Sequence, residues 1–275
     1  MVKKIEKHFS DTVKKLPTYK TPGTPGFGIT RARDEEPTVS TQMHTSYRSG
    51  VGMLLYLVKH SRPDISNAVR ELTKCLDKPT PAAYKEMLRV IKYVLDSKTL
   101  GLKIMPKVIE NKLTWNMVLF SDSDWAGDKD DWRSVSGLAL FVCGVLVAWR
   151  SKQQKTVALS SSEAEFVAAS EAVKDVLFVV NVLESLGIEV EKPIIVRVDN
   201  MGVVFMSQNN SSGARTRHVD TRWHFVRELV EDKFIEVVFV KSEENKSDLF
   251  TKNLSGELFD KHVDDFVWDR KSVGK

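Results

Sequence analysis

Apolar residues from Tyr47 onward recur at helical spacing. Val51, Leu54, Leu55 and Val58 fall at i, i+3, i+4 and i+7, and Ile65, Ala68, Val69, Leu72 and Leu76 repeat the pattern after Arg62-Pro63-Asp64. A third helix is predicted from Thr80-Pro81, an N-cap followed by proline at the first helical position, with Tyr84, Met87, Leu88, Ile91 and Leu95 as its stripe. Stripes of this kind are core surfaces, so residues 47–111 read as a helical unit. Residues 1–46 read as an extended, partly disordered leader, because 17–40 are rich in Pro, Gly and Thr and carry no period.

From about residue 113 the pattern becomes that of strands. Residues 118–121, 137–142 and 145–150 read as three strands, the last two joined by a tight hairpin at Cys143-Gly144. A long helix over 161–186 follows, then the apolar run 194–199, typical of a buried strand. A short helix from Met201, a helix over 216–232, a strand over 234–240 and a short helix over 247–252 complete the reading. A meander followed by β-α-β pieces predicts an α/β fold, a mixed five-stranded sheet flanked by helices across residues 112–275. With a sheet and core of its own, this part is expected to fold alone.

Composition adds exclusions. The 275 residues are 42% hydrophobic and 28% charged, as in an ordinary globular chain. Cys75 and Cys143 are the only cysteines, too few for a disulfide framework or a cysteine-based zinc site, so a reducing compartment is expected. No apolar run approaches the ~20 residues that span a bilayer, and the start MVKKIEKHFSDTVKK has no apolar signal-peptide core. The expectation is an intracellular chain, cytoplasmic or nuclear, with no membrane partner. Charge is uneven: residues 1–111 hold 20 Lys+Arg against 11 Asp+Glu, and residues 112–275 hold 21 against 26. That asymmetry fits a basic module gripping a polyanion beside a module that processes it, and equally a surface charged unevenly without consequence.

Five aspartates (Asp122, Asp124, Asp128, Asp130 and Asp131) crowd into ten positions of this net-positive chain. A solvated acidic turn and a metal site both account for such a cluster. In open α/β sheets, sites collect at the carboxyl ends of strands, and few acidic residues occupy such places. Asp122 ends the first predicted strand of the sheet and Asp199 ends the buried one, while Asp248 opens the last short helix. On the long helix, Ser160 and Glu163 form a capping box, so Glu163 folds back on the helix start. Glu165 falls at the edge of the buried stripe and faces the sheet. Four oxygen donors from four elements suit a hard cation such as Mg²⁺ or Mn²⁺, and two such ions ~4 Å apart support phosphodiester hydrolysis.

The segments FSDSDWAGDKDDWRSVSG, AWRSKQQKTVALSSSEAEFVAASEA, VDNMGVV, RTRHVDTRWHFVRELV and SDLFTKNL occur in that order. Together they resemble the ribonuclease H domain of Ty1/copia-type retrotransposon Pol polyproteins over about residues 113–260. Upstream, YRSGVGMLLYLVKHSRPDISNAVRELTKCLDKPT resembles the helical region that links reverse transcriptase to ribonuclease H there. The resemblance implies a ribonuclease H-like sheet and a metal-dependent endonuclease that cuts the RNA strand of RNA–DNA hybrids. It implies two Mg²⁺ ions, Mn²⁺ substituting, held by Asp122, Glu165, Asp199 and Asp248 as the catalytic carboxylates. In the family pattern Asp122 bridges both ions, Asp248 completes the site of the ion that activates water, and Glu165 and Asp199 hold the ion nearer the leaving group. Nucleic-acid contacts are assigned to Lys152, Gln153, Ser162, Asn200, Arg217 and His218, and a reverse transcriptase supplied in trans is a further expected partner. Asp124 to Asp131 are then mostly a solvated turn.

Two departures qualify the resemblance. Many cellular ribonucleases H carry a histidine in the loop before the last aspartate, where this chain reads Lys241-Ser242-Glu243-Glu244. No Tyr-x-Asp-Asp polymerase signature occurs, so DNA synthesis is not expected. His218 and His224, six apart, do not share a helical face and read as packing or phosphate contacts. The alternative reading is a catalytically silent nucleic-acid-binding or interaction module left from such a polyprotein.

Overall fold

The computed structural model describes residues 1–33, 36–107, 115–208 and 217–269, the side chains of 217–221 excepted. The expected boundary at 111/112 lies outside the described residues. By compactness the chain divides into two units, residues 1–103 with 128–131 and 252–275, and residues 104–127 with 132–251.

The first unit begins with an element that corrects the leader reading. Helix α1 (Val2–Val13) buries Ile5, Phe9 and Val13, a stripe at four-residue spacing that was present in the sequence. The three predicted helices follow as α2 (Thr41–His60), α3 (Ser66–Thr73) and α4 (Pro81–Asp96). Thr80 caps α4, its hydroxyl accepting from the Ala83 N–H at 3.1 Å. The buried Arg62 guanidinium grips Asp64 at 2.9 and 2.8 Å and donates to the Ser97 carbonyl, so the turn between α2 and α3 is a satisfied ionic network.

Two late elements complete this unit. Strand β1 (Leu100–Leu102) pairs antiparallel with the C-terminal strand Val267–Asp269, and the helix Gly256–Val263 places Phe259 edge-on to Tyr93. The sequence reading assigned residues 252–275 to the other domain. Segment 128–131 also belongs here, and within it Asp128 corrects the solvated-turn expectation, while Lys129 and Asp130 are exposed. Asp128 is fully buried and ion-pairs with Lys74 at 3.2 Å, while Asp130 accepts from the Arg31 N–H at 2.8 Å. A carboxylate beside a fixed ammonium can be buried where an isolated one cannot.

The second unit is built on five strands among the described residues: β2 (Met117–Asp124), β3 (Val135–Val142), β4 (Val145–Gln153), β5 (Ile194–Val198) and β6 (Ile235–Phe239). Their spatial order is β4-β3-β2-β5-β6, with β2, β3 and β4 antiparallel and β2, β5 and β6 parallel. This is the mixed five-stranded sheet that the sequence pattern predicts. Cys143 and Gly144 both take left-handed φ (50° and 75°), the two-residue turn whose twist suits a hairpin. Helix α5 (Ser161–Ser185) packs Phe166, Ala169, Val173, Val176 and Val180 against Leu119, Leu138, Leu140 and Val196 of the sheet. Helices α6 (Met201–Gln208) and α7 (Arg217–Glu231) follow β5, and a 3-10 turn over Lys246–Phe250 lies against β2 and β3.

Candidate active site

Strand β2 lies between an antiparallel neighbour and a parallel one, and this creates the opening for the site. β5 pairs with β2 from Val118↔Ile195 to Phe120↔Arg197 and ends at Val198, so Asp199 emerges level with Asp122. Past that point the Ser123 N–H of β2 turns to a side chain and donates to Glu165 Oε1 at 3.1 Å. Glu165 reaches it from the second turn of α5. Carboxylate oxygens of Asp122, Glu165 and Asp199 all lie within 4.8 Å of one another.

Each carboxylate is oriented by its own neighbour. Asp122, buried, accepts from the Thr251 hydroxyl, and that oxygen lies 3.1 Å from the Asp248 carbonyl. Asp199 accepts from Ser242 Oγ at 2.7 Å. Asp248 is buried in the 3-10 turn beyond the group of three. Asn245 anchors that turn, donating to the Ser121 carbonyl at 3.0 Å and accepting from Ser247 Oγ at 2.6 Å.

The electrostatics favour a cation. Burial, then the charges of Asp122 and Asp199, push the Glu165 carboxyl up to about 10, Asp248 adds to the push, and the Ser123 N–H opposes it. Glu165 Oε2 is buried with no hydrogen-bond partner among the described residues. Crowded carboxylate oxygens with an unsatisfied buried acceptor fit a hard divalent cation, and neither thiol nor imidazole stands in the group. Asp122, Glu165 and Asp199 can hold such an ion.

The two glutamates of α5 separate as the helix register predicts. Glu163 accepts the Leu159 N–H at 2.8 Å while its own N–H donates to Ser160 Oγ at 3.1 Å, a capping arrangement displaced by one residue. Ser162 and Asn200 stand side by side, their oxygens 3.4 Å apart. Lys152 and Gln153 lie at the end of β4, Lys152 exposed. The side chains of Arg217 and His218 lie outside the described residues. Trp115 and Trp223 pack against the core, and Trp125 and Trp132 are exposed.

Thr251, Ser242 and Gly137 escaped the sequence reading. Thr251 and Gly137 lie inside the resembling segments SDLFTKNL and SVSG, so motif membership was the available signal. Ser242 lies in the loop noted for lacking histidine, and only the fold brings it to Asp199.

No family model matches the chain. It is 32% identical over 215 residues to the retrovirus-related Pol polyprotein from transposon RE1 of Arabidopsis thaliana, covering 78% of this chain and 14% of that protein. To the corresponding polyprotein from transposon TNT 1-94 of Nicotiana tabacum it is 31% identical over 216 residues, 78% of this chain and 16% of that protein. The secreted RxLR effector protein 161 of Plasmopara viticola is 39% identical over 132 residues, 48% of this chain and 89% of that protein. Among solved structures, LC11-RNase H1 isolated from compost is 15% identical with a TM-score of 0.39, over 54% of this chain and 98% of that one. No helix among the described residues is long and apolar enough to cross a membrane. The chain spans 14% of the length of its RE1 relative, and its homologues are retrovirus-related Pol polyproteins and Ty1/copia transposon proteins.

Proposed function

We propose that the chain is the ribonuclease H part of a retrotransposon Pol polyprotein, a metal-dependent endonuclease acting on the RNA strand of RNA–DNA hybrids. The observation that carries this is the meeting of Asp122, Glu165 and Asp199 within 4.8 Å, with Glu165 Oε2 buried and unsatisfied among the described residues. Asp122, Glu165, Asp199 and Asp248 would hold two Mg²⁺ ions, or Mn²⁺ in their place. Bound there, the ions would supply an activated water and a counter-charge for the leaving oxygen.

The chain's own residues do the positioning. The Thr251 hydroxyl orients Asp122, the Ser123 N–H orients Glu165 and Ser242 orients Asp199. Ser162 and Asn200, whose side-chain oxygens lie 3.4 Å apart, would read 2′-hydroxyls across the minor groove of a hybrid. The test is a labelled RNA–DNA hybrid incubated with purified protein in Mg²⁺ and in EDTA. Cleavage of the RNA strand in Mg²⁺ alone is expected, and equal rates in both would overturn the reading.

The alternative reading is a nucleic-acid-binding or interaction module without turnover. Hybrid binding with no cleavage in Mg²⁺ or Mn²⁺ would establish it.

A further inference from the structure

Residues 151–156 read Ser-Lys-Gln-Gln-Lys-Thr, a polar run at the end of β4, and Gln154 is the one among them that is buried, at 6% exposure. Its backbone N–H donates to the Ser134 carbonyl at 2.8 Å, which fixes the point where the chain leaves the sheet. A buried primary amide costs free energy unless its polar atoms find partners. Here one end finds them: Nε2 is bonded, while Oε1 is buried with no hydrogen-bond partner among the described residues. An apolar side chain of the same length would bury no such acceptor, so stability of the fold does not account for the amide.

The partners of its nitrogen do. Nε2 donates to the Ala164 carbonyl and to Ser136 Oγ, both at 2.9 Å, and lies 3.5 Å from Ser123 Oγ. A carbonyl only accepts, so the Ala164 contact fixes which end of the amide carries the hydrogens. Two of these three residues set the place of Glu165. Ala164 precedes it on α5, and Ser123 is the residue whose N–H donates to Glu165 Oε1 at 3.1 Å. Ser136, the third, faces Ser123 across the β2–β3 ladder. One amide therefore ties the start of α5 to β2 and β3 beside a single carboxylate. Apolar packing also holds α5 on the sheet, but it is non-directional and does not by itself fix where the helix start stands.

We propose that Gln154 is a positioning residue for the carboxylate site, setting where Glu165 stands against Asp122 and Asp199 through the two bonds its amide donates. The proposal rests on the metal-dependent nuclease reading, and its first readout is metal binding. Mn²⁺ binding to the full chain, without nucleic acid, is measured from the electron paramagnetic resonance signal of free Mn²⁺, and steady-state hybrid cleavage is measured beside it. Gln154→Met keeps the length of the side chain and removes both donors. It is expected to raise the Kd for Mn²⁺ and to lower kcat by about tenfold or more each, as lost support behind a metal ligand does. KM for the hybrid should stay within about twofold of wild type, because a buried amide makes no contact with the strand. Ser136→Ala leaves the amide in place and removes one acceptor, so it should raise the Mn²⁺ Kd by about a few-fold. Added to Gln154→Met it should cost nothing more, since the two act through one bond.

A merely structural knot would lower the melting temperature of Gln154→Met and leave Mn²⁺ affinity and kcat unchanged in the folded protein. That result, in a chain whose wild type cleaves hybrids, overturns the positioning role and leaves the nuclease reading standing. Should Gln154→Met not fold, Ser136→Ala decides, and an unchanged Mn²⁺ Kd there overturns the role. A wild type that binds Mn²⁺ but never cleaves overturns the nuclease reading, while weaker Mn²⁺ binding by Gln154→Met still supports the positioning role. A wild type that binds no Mn²⁺ overturns both.

Discussion

Glu163 and Glu165 stand two residues apart on α5, and a rotation of ~200° around the helix gives them different work. Glu163 holds the Leu159 N–H in the cap, and Glu165 enters the carboxylate group. Glu165→Gln is expected to lower single-turnover cleavage of a hybrid by at least ~100-fold, because a ~1 Å misplacement of reacting groups costs that much. Glu163→Gln should stay within a few-fold of wild type, since the amide oxygen still accepts from Leu159. A reversed outcome would place the wrong glutamate in the site. The same residue gives a pH prediction. In metal-free protein burial and the charges of Asp122 and Asp199 push the folded-state Glu165 carboxyl up to about 10 from an ordinary 4.5. Its contribution to stability is fully present below the unfolded value and is lost as pH rises toward the folded one, because only the unfolded chain releases the proton. The melting temperature in EDTA should therefore fall between about pH 5 and pH 9, and Glu165→Gln should flatten that fall. Parallel melting curves for the two proteins would refute the electrostatic account.

At the level of elements, the site depends on how closely the 3-10 turn over Lys246–Phe250 approaches β3. Gly137 lies opposite Asp122 in the sheet, and a Cβ there would meet the Ser247 carbonyl and the Thr251 methyl at 2.7 Å each. One of those contacts is backbone, so the turn itself must move, and it carries Asp248 and leads into Thr251. Gly137→Ala is expected to cost about 1–3 kcal/mol by overpacking and to reduce cleavage more than ~10-fold through displaced ligands. Urea melts and hybrid cleavage check the two halves separately. Wild-type cleavage by Gly137→Ala would show that the close approach does not set the geometry.

For the whole molecule, the domain boundary matters most. The fragment 112–275, which sequence pattern alone marks as self-sufficient, keeps the mixed sheet but carries segments whose partners lie in residues 1–103. Val267–Asp269 would lose β1, Phe259 would lose Tyr93, and the buried Asp128 would lose Lys74. Removing one partner of a buried ion pair costs roughly 3–5 kcal/mol. The fragment is expected to melt well below the full chain and to bind a hydrophobic dye through the exposed Phe259 and Phe266. Ending it at residue 251 and substituting Asp128→Asn should recover part of that loss. Equal stability of fragment 112–275 and the full chain would show that these contacts contribute little.

Periodicity determined the strand and helix sequence of 117–208 and 217–250 because a half-buried element must repeat its apolar residues at its own period, and a cap such as Ser160 marks an end locally. The same logic would have found α1, whose stripe of Ile5, Phe9 and Val13 was legible but short. The meeting of Asp122, Glu165 and Asp199 was foreshadowed too, since two of them end strands and the third faces the sheet by helix register. What the tertiary structure decided was which polar groups meet. The Thr251 hydroxyl on Asp122, Ser242 on Asp199 and Lys74 on Asp128 join residues 129, 43 and 54 positions apart. No local pattern encodes such pairs, because hydrogen bonds and ion pairs depend on distance in space while periodicity reports only which face of an element is buried.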